Sequence, residues 1–114
     1  MKTFKEKFCL QERMEQSKSV LERYPNRIPI IVECNDKLLP SIDKSKYLVP
    51  RDITVGQFCY VLRKRIKLTP DQAIFLFINN TLPPTASTLE EQYNLHKEED
   101  GFLYMTYRSE STFG

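Results

Sequence analysis

The stretch Ser45-Lys46-Tyr47-Leu48-Val49-Pro50-Arg51 constrains the fold of this chain more than any other. A lysine and three apolar residues run up to a proline. As a strand, they place Tyr47 and Val49 on one face, Lys46 and Leu48 on the other. The lysine and the terminating proline suit the margin of a sheet better than its middle. Backbone N–H and C=O groups at such a margin can accept a partner's extended peptide. Apolar side chains on both faces would give that peptide two anchor points, so the surrounding sequence is expected to build pockets around 46–49.

The 114 residues suit a single domain large enough for its own core. Hydrophobic residues make up 40% and charged residues 28%, a globular balance rather than a disordered one. No apolar run approaches the roughly 18–20 residues that span a bilayer, and no signal-peptide core opens the chain. Cys9, Cys34 and Cys59 are odd in number and lack metal-ligand spacing, which predicts reduced thiols in a cytoplasmic setting. No metal or other cofactor is called for.

The charge is uneven. Residues 1–67 carry 15 Lys and Arg against 8 Asp and Glu, and residues 68–114 carry 2 against 7, accounting for the chain's 17 and 15. This polarity favours acidic peptide partners. Nucleic acid is not expected, because neither an aromatic-studded RNA-binding signature nor a zinc-finger spacing is present.

Residues 3–8 predict a short helix with Phe4 and Phe8 on one side. Leu10 to Tyr24 predicts a longer one, with Leu10, Met14, Ser17, Leu21 and Tyr24 on a core-facing stripe and Val20 beside it. Ile28 to Glu33 reads as a strand whose Pro29 marks its start or an edge. Asn35-Asp36-Lys37 is a turn, so residues 28–51 form a hairpin with an irregular loop. Thr54-Val55-Gly56-Gln57 is a capping box. The helix after it buries Val55, Phe58, Cys59, Leu62 and Ile66. Arg63-Lys64-Arg65 and Lys67 near its end suit the helix dipole and equally a partner-binding patch. Thr69-Pro70-Asp71-Gln72 is a turn, and Ala73 to Ile78 predicts a central strand. Asn79-Asn80 turns the chain. Thr88-Leu89-Glu90-Glu91 caps a short helix to about Leu95. His96 reads as a solvated surface residue. Lys97 to Gly101 is a polar loop, and Phe102 to Tyr107 the last strand.

This order predicts an α+β fold: a four-stranded mixed β-grasp sheet cradling one helix, with two extra N-terminal helices and the first and last strands parallel at its centre. The single domain divides into a helical extension (1–25), a β-grasp core (26–108) and a tail (109–114). The tail is polar and aperiodic, which predicts mobility; six extended residues reach about 20 Å. A terminal glycine can thread a narrow active site and offer an unhindered carboxylate for acyl transfer. With no matched nucleophile and base, an enzyme is not expected, and Cys59 reads as packing rather than chemistry.

Several segments together resemble a known family over essentially the whole chain. They are Tyr24-Pro25-Asn26-Arg27-Ile28-Pro29, Asp43 to Pro50, Thr54 to Phe58 and Arg63-Lys64-Arg65-Ile66, followed by Asn80 to Thr85, Glu99 to Met105 and Phe113-Gly114. They are similar to the autophagy ubiquitin-like modifiers, the family of microtubule-associated light chain 3 and the GABA-receptor-associated proteins, and most like its plant members. The resemblance implies a ubiquitin-like fold. It also implies a modifier joined through Gly114 to phosphatidylethanolamine by ubiquitin-like activating and conjugating enzymes, with a cysteine protease for processing and delipidation. It implies docking of cargo receptors through aromatic-x-x-aliphatic motifs added as a strand at 46–49. By position, the aromatic pocket is Val20, Pro29, Ile31, Lys46, Leu48 and Phe102. The aliphatic pocket is Tyr47, Val49, Pro50, Ile53, Phe58, Val61 and Leu62. Arg27, Lys44, Lys46 and Arg65 would meet flanking acidic residues.

The implied locations are the cytoplasm, the autophagosome membrane after lipidation and then the vacuole or lysosome, with a microtubule or cytoskeletal association. A β-grasp peptide-binding adaptor that is never conjugated is the alternative. The chain departs from the family pattern at Phe8-Cys9, where many members have His-Pro, and at Gln16, where some carry an acidic pocket-rim residue. The loop from Cys34 to Pro40 is also shorter than in common plant forms, and Cys34 replaces a frequent lysine. In plant members a second docking face lies near Ile74-Phe75-Leu76, which reads here as core strand.

Overall fold

A computed structural model describes residues 2–40, 42 and 45–109. Two helices, α1 (Phe4–Lys7) and α2 (Leu10–Arg23), precede strands β1 (Arg27–Cys34) and β2 (Lys46–Pro50). Helix α3 (Val55–Arg65), strand β3 (Phe75–Phe77), helix α4 (Leu89–His96) and strand β4 (Leu103–Arg108) follow. The sheet order is β2-β1-β4-β3. β1 runs antiparallel to β2 and parallel to β4, and β3 runs antiparallel to β4. The parallel pair lies at the centre, as the sequence predicts.

Local chemistry sets most element ends. Thr54 Oγ1 accepts from Gln57 N at 3.1 Å while Gln57 Oε1 accepts from Thr54 N at 2.9 Å, closing the box that starts α3. Thr88 and Glu91 do the same for α4. Asn79 and Asn80 take φ values of 51° and 62°. Asparagine tolerates this left-handed backbone better than most residues, so the pair closes the tight reversal between Ile78 and Thr81.

The sheet is covered on both faces. On one, α3 drops Val55, Phe58, Leu62 and Ile66 onto Ile28, Ile30, Val32, Leu103, Met105 and Tyr107. Burying each such aliphatic or aromatic side chain is worth about 1.5–3 kcal/mol. On the other, Phe4 packs with Ile31 and Phe102, flanked by Phe8 and Tyr104. The Phe4 and Phe102 rings meet edge to face at 5.2 Å.

Two expectations need correction. The strand in Ala73–Ile78 is not central: β3 is the three-residue margin opposite β2. Leu76, Phe77 and Ile78 are nonetheless buried. An apolar run reports burial of both faces, not the number of bonded neighbours. Pro29 stands in an inner strand, near its start. There it faces Leu48 of β2, and the parallel ladder with β4 begins one residue later, at Ile30, so its missing N–H is not needed.

The α2 stripe does not enter the core. Leu10, Met14 and Tyr24 are 37%, 41% and 43% exposed, and only Ser17 is buried. The helix docks through hydrogen bonds instead. Ser17 Oγ donates to Asp100 O, and Arg13 Nε donates to Asp100 Oδ2 at 2.9 Å. Asp100 also takes Phe102 N and the Tyr104 hydroxyl, so the polar loop of the sequence reading hides a buried carboxylate. Gly101, at φ +87°, lets that loop lie directly on Ser17.

Candidate functional site

The margin formed by β2 is open: among the described residues no strand lies beyond it. Val32 N donates to Ser45 O at 2.8 Å. Antiparallel alternation from that rung turns the N–H and C=O groups of Tyr47 and Val49 toward β1 and those of Lys46 and Leu48 outward. Arg27 Nη1 donates to the outward Leu48 carbonyl at 3.2 Å from an exposed position.

Side chains alternate across the same strand. Lys46 and Leu48 stand opposite Ile31 and Pro29 in register, on the face covered by α1 and α2. On that face Ile31 and Phe102, both at 0% exposure, pack with Phe4 in the core, and Leu48 is half-buried. Half-buried Val20 contributes from α2 to a hollow of about 470 Å³ with Phe8, Glu12, Gln16, Ser19 and Lys46. Lys46 Nζ donates to Gln16 Oε1 at 3.0 Å across it. The uncharged Gln16 therefore still reaches the lysine on the strand.

On the opposite face Tyr47 and Val49 are buried, with the Tyr47 ring edge-on to Phe58 at 5.7 Å. Phe58 and Leu62 are closed off at 1% and 0% exposure. Pro50 and Val61 are exposed and Ile53 is half-buried. A second hollow, about 670 Å³, runs between α3 and the segment before α4; it includes Ile53 and Val61 with Gly56, Tyr60 and Thr85. Tyr47, Val49, Pro50, Phe58 and Leu62 do not line it.

The cations gather at the same margin. Arg27, Lys46 and Arg65 are exposed, with the Arg65 guanidinium 5.9 Å from the Tyr47 ring. Lys44 and Gly114 lie outside the described residues. The basic end of α3 divides its work: Arg63 Nη2 donates to Gln72 O at 3.0 Å, and Lys64 sits over Tyr60.

Sequence reasoning missed Glu12, Ser19 and Phe8 on the first hollow and Tyr60 on the second. The first two share the face of α2 that carries Gln16 and Val20, at helical spacing, so a wheel centred on Val20 rather than on the apolar stripe finds them. Tyr60, exposed beside Val61, is an aromatic signal that the buried stripe of α3 masks.

Other chemistry is sparse. Burial pushes the Cys59 thiol up despite the nearby Arg63, which makes it a poor nucleophile. His96 is half-buried, its Nδ1 within 3.3 Å of the Asn79 amide. Among the described residues no three His, Cys, Asp or Glu side chains group to hold a metal ion, and no helix is long and apolar enough to cross a membrane.

The family model for the Atg8 autophagy protein, described as ubiquitin-like, matches residues 12–114. Autophagy-related protein 8A of Oryza sativa subsp. indica is 58% identical over 113 residues, covering 98% of this chain and 95% of that one. Autophagy-related protein 8 of Schizosaccharomyces pombe is 56% identical over 112 residues, covering 97% and 93%. The solved structure of Plasmodium falciparum Atg8 in complex with a peptide of that organism's Atg3 superposes with a TM-score of 0.91. It is 36% identical and covers 99% of this chain and 100% of its own. With its ubiquitin-like fold, parallel central strands and two leading helices, this chain belongs to the Atg8 family of autophagy ubiquitin-like proteins, which are modifiers rather than enzymes.

Proposed function

We propose that this protein is conjugated through Gly114 to the amino group of phosphatidylethanolamine and then recruits cargo receptors to the autophagosomal membrane. The observation that carries the docking half is the open β2 margin, with a hollow beside it on the α2 face that Val20 and Lys46 line. A receptor motif adds as an outer strand on the Lys46 and Leu48 backbone. Its aromatic residue enters between α2 and β2, and its aliphatic residue enters between β2 and α3. Val20, Pro29, Ile31, Lys46, Leu48 and Phe102 make the first pocket. Tyr47, Val49, Pro50, Ile53, Phe58, Val61 and Leu62 make the second, with the fully buried members acting as floors. Arg27, Lys44, Lys46 and Arg65 meet acidic flanks. The same margin suits a peptide of the conjugating enzyme, the class of ligand named for the Plasmodium relative. Gly114 supplies the acyl group to the activating and conjugating enzymes, and a cysteine protease of the family reverses the bond.

The test is reconstitution with the family's activating and conjugating enzymes and phosphatidylethanolamine vesicles, read by mass spectrometry. The expected product carries the lipid on Gly114, and Gly114→Ala gives none. A wild-type protein that stays unconjugated yet binds an aromatic-x-x-aliphatic peptide would establish the adaptor alternative instead.

A further inference from the structure

The loop after β1 grips the far end of β4. Asn35 N donates to Tyr107 O at 3.0 Å, and the Tyr107 hydroxyl donates to Pro40 O at 2.8 Å. Beyond them Asp36 takes hold of Ser109, one residue past the end of β4. Its Oδ2 accepts from Ser109 N at 3.0 Å and from the Ser109 hydroxyl, and its Oδ1 accepts from Leu38 N at 2.9 Å. Three donors fix the carboxylate in one orientation. The Ser109 hydroxyl and N–H, followed by Leu38 N, lower its pKa, so it stays ionised and the hydrogen bonds stay charge-assisted.

This contact sets where the terminal segment begins. Five residues lead from Ser109 to Gly114, and five extended residues span at most about 17 Å. We propose that Asp36 is a positioning residue for acyl transfer at Gly114: by pinning Ser109 it fixes the origin, and hence the reach, of the segment offered to the activating and conjugating enzymes. The inference rests on the conjugation reading above. Freed from Asp36, Ser109 and the end of β4 must be ordered anew at each encounter. Ordering roughly one residue's backbone corresponds to about a five- to tenfold loss of productive encounters.

The experiment compares wild type, Asp36→Ala and Ser109→Ala in two measurements: amide hydrogen exchange at residue 109, and the kinetics of thioester formation with the activating and conjugating enzymes. Asp36→Ala should speed exchange at 109 and lower kcat/KM about five- to tenfold, mainly through KM. Its affinity for an aromatic-x-x-aliphatic peptide should stay at the wild-type value, which also reports that it is folded. Ser109→Ala keeps the backbone donor and should lose less. Unchanged exchange in Asp36→Ala, or faster exchange with unchanged transfer, overturns the positioning role and leaves conjugation standing. A wild type that forms no thioester overturns conjugation and this inference with it.

Discussion

Arg13 Nε lies 2.9 Å from Asp100 Oδ2, joining α2 to the loop before β4 across 87 residues of sequence. The two side chains are 13% and 1% exposed. Asp100 also accepts Phe102 N at 2.9 Å, and Arg13 Nη1 donates to Phe8 O at 2.7 Å. The helix that walls the hollow beside Lys46 is thus held by a nearly dry ion pair rather than by grease. Asp100→Asn keeps an acceptor for Phe102 but strands the guanidinium, and should destabilise the fold by about 3 kcal/mol in urea titration. A loss below about 1 kcal/mol would show that the pair does not hold α2.

Gly101 is the second half of that attachment. A Cβ there would stand 3.0 Å from Ser17 Cβ and collide with Ser17 Oγ, at a φ of +87°. Gly101→Ala should cost roughly 2–3 kcal/mol from strain and clash together. Adding Ser17→Gly should recover the clash part only, a coupling that a double-mutant cycle reads directly. Strictly additive effects would remove the contact from the explanation.

At the docking edge, rim and floor residues should separate. Leu48→Ala, at a half-buried position, should weaken binding of an aromatic-x-x-aliphatic peptide by about 1–3 kcal/mol with little change in stability. Leu62→Ala, at 0% exposure, should instead destabilise the fold by about 2–5 kcal/mol. Calorimetric titration paired with denaturation distinguishes them; unchanged affinity in folded Leu48→Ala would exclude it from the pocket.

Alkaline pH should unfold the protein late. Burial, then the Asp100 hydrogen bond and charge, raises the Tyr104 hydroxyl well above its ordinary value. Burial raises those of Tyr107 and Tyr93 too. A raised folded-state pKa stabilises fully below the unfolded value near 10 and is lost as pH climbs toward the folded one. Phenolate absorbance should show a group of tyrosines that ionises only as the fold is lost. Uniform titration of every tyrosine near 10 in the folded protein would contradict this.

Thiol reactivity should follow exposure. Cys9 is exposed, and Cys59 packs against the main core with its thiol pKa raised. Alkylation of the native protein should label Cys9 first and Cys59 last, and rapid labelling of Cys59 would refute its packing against the core.

The elements that sequence revealed are those whose signals are local. The boxes at Thr54 and Thr88 and the Asn79-Asn80 reversal each satisfy their own backbone within a few residues, and the strand at 46–50 is marked by its own alternation and terminal proline. Thr3 and Glu6 carry the same box spacing at the start of α1. What sequence hid is long-range. Nothing near Asp100 announces a partner at Arg13, and nothing in Ala73–Ile78 tells a covered margin from a centre. Of the residues proposed for docking, strand alternation separates Lys46 and Leu48 from Tyr47 and Val49, while the others rest on the family resemblance. Which are rim and which are floor depended on how closely α2 and α3 approach.

The Arg27 guanidinium on the outward Leu48 carbonyl has a consequence for the protein when crowded. A bare strand margin invites a second copy to zip alongside, and copies packed densely together would ladder into aggregates. Here the central acceptor is already engaged by a cation, and Lys46 adds like-charge repulsion between identical margins. An incoming chain rich in carboxylates can draw both cations aside, whereas a twin molecule cannot. The same two residues therefore discourage self-pairing and favour the acidic stranger.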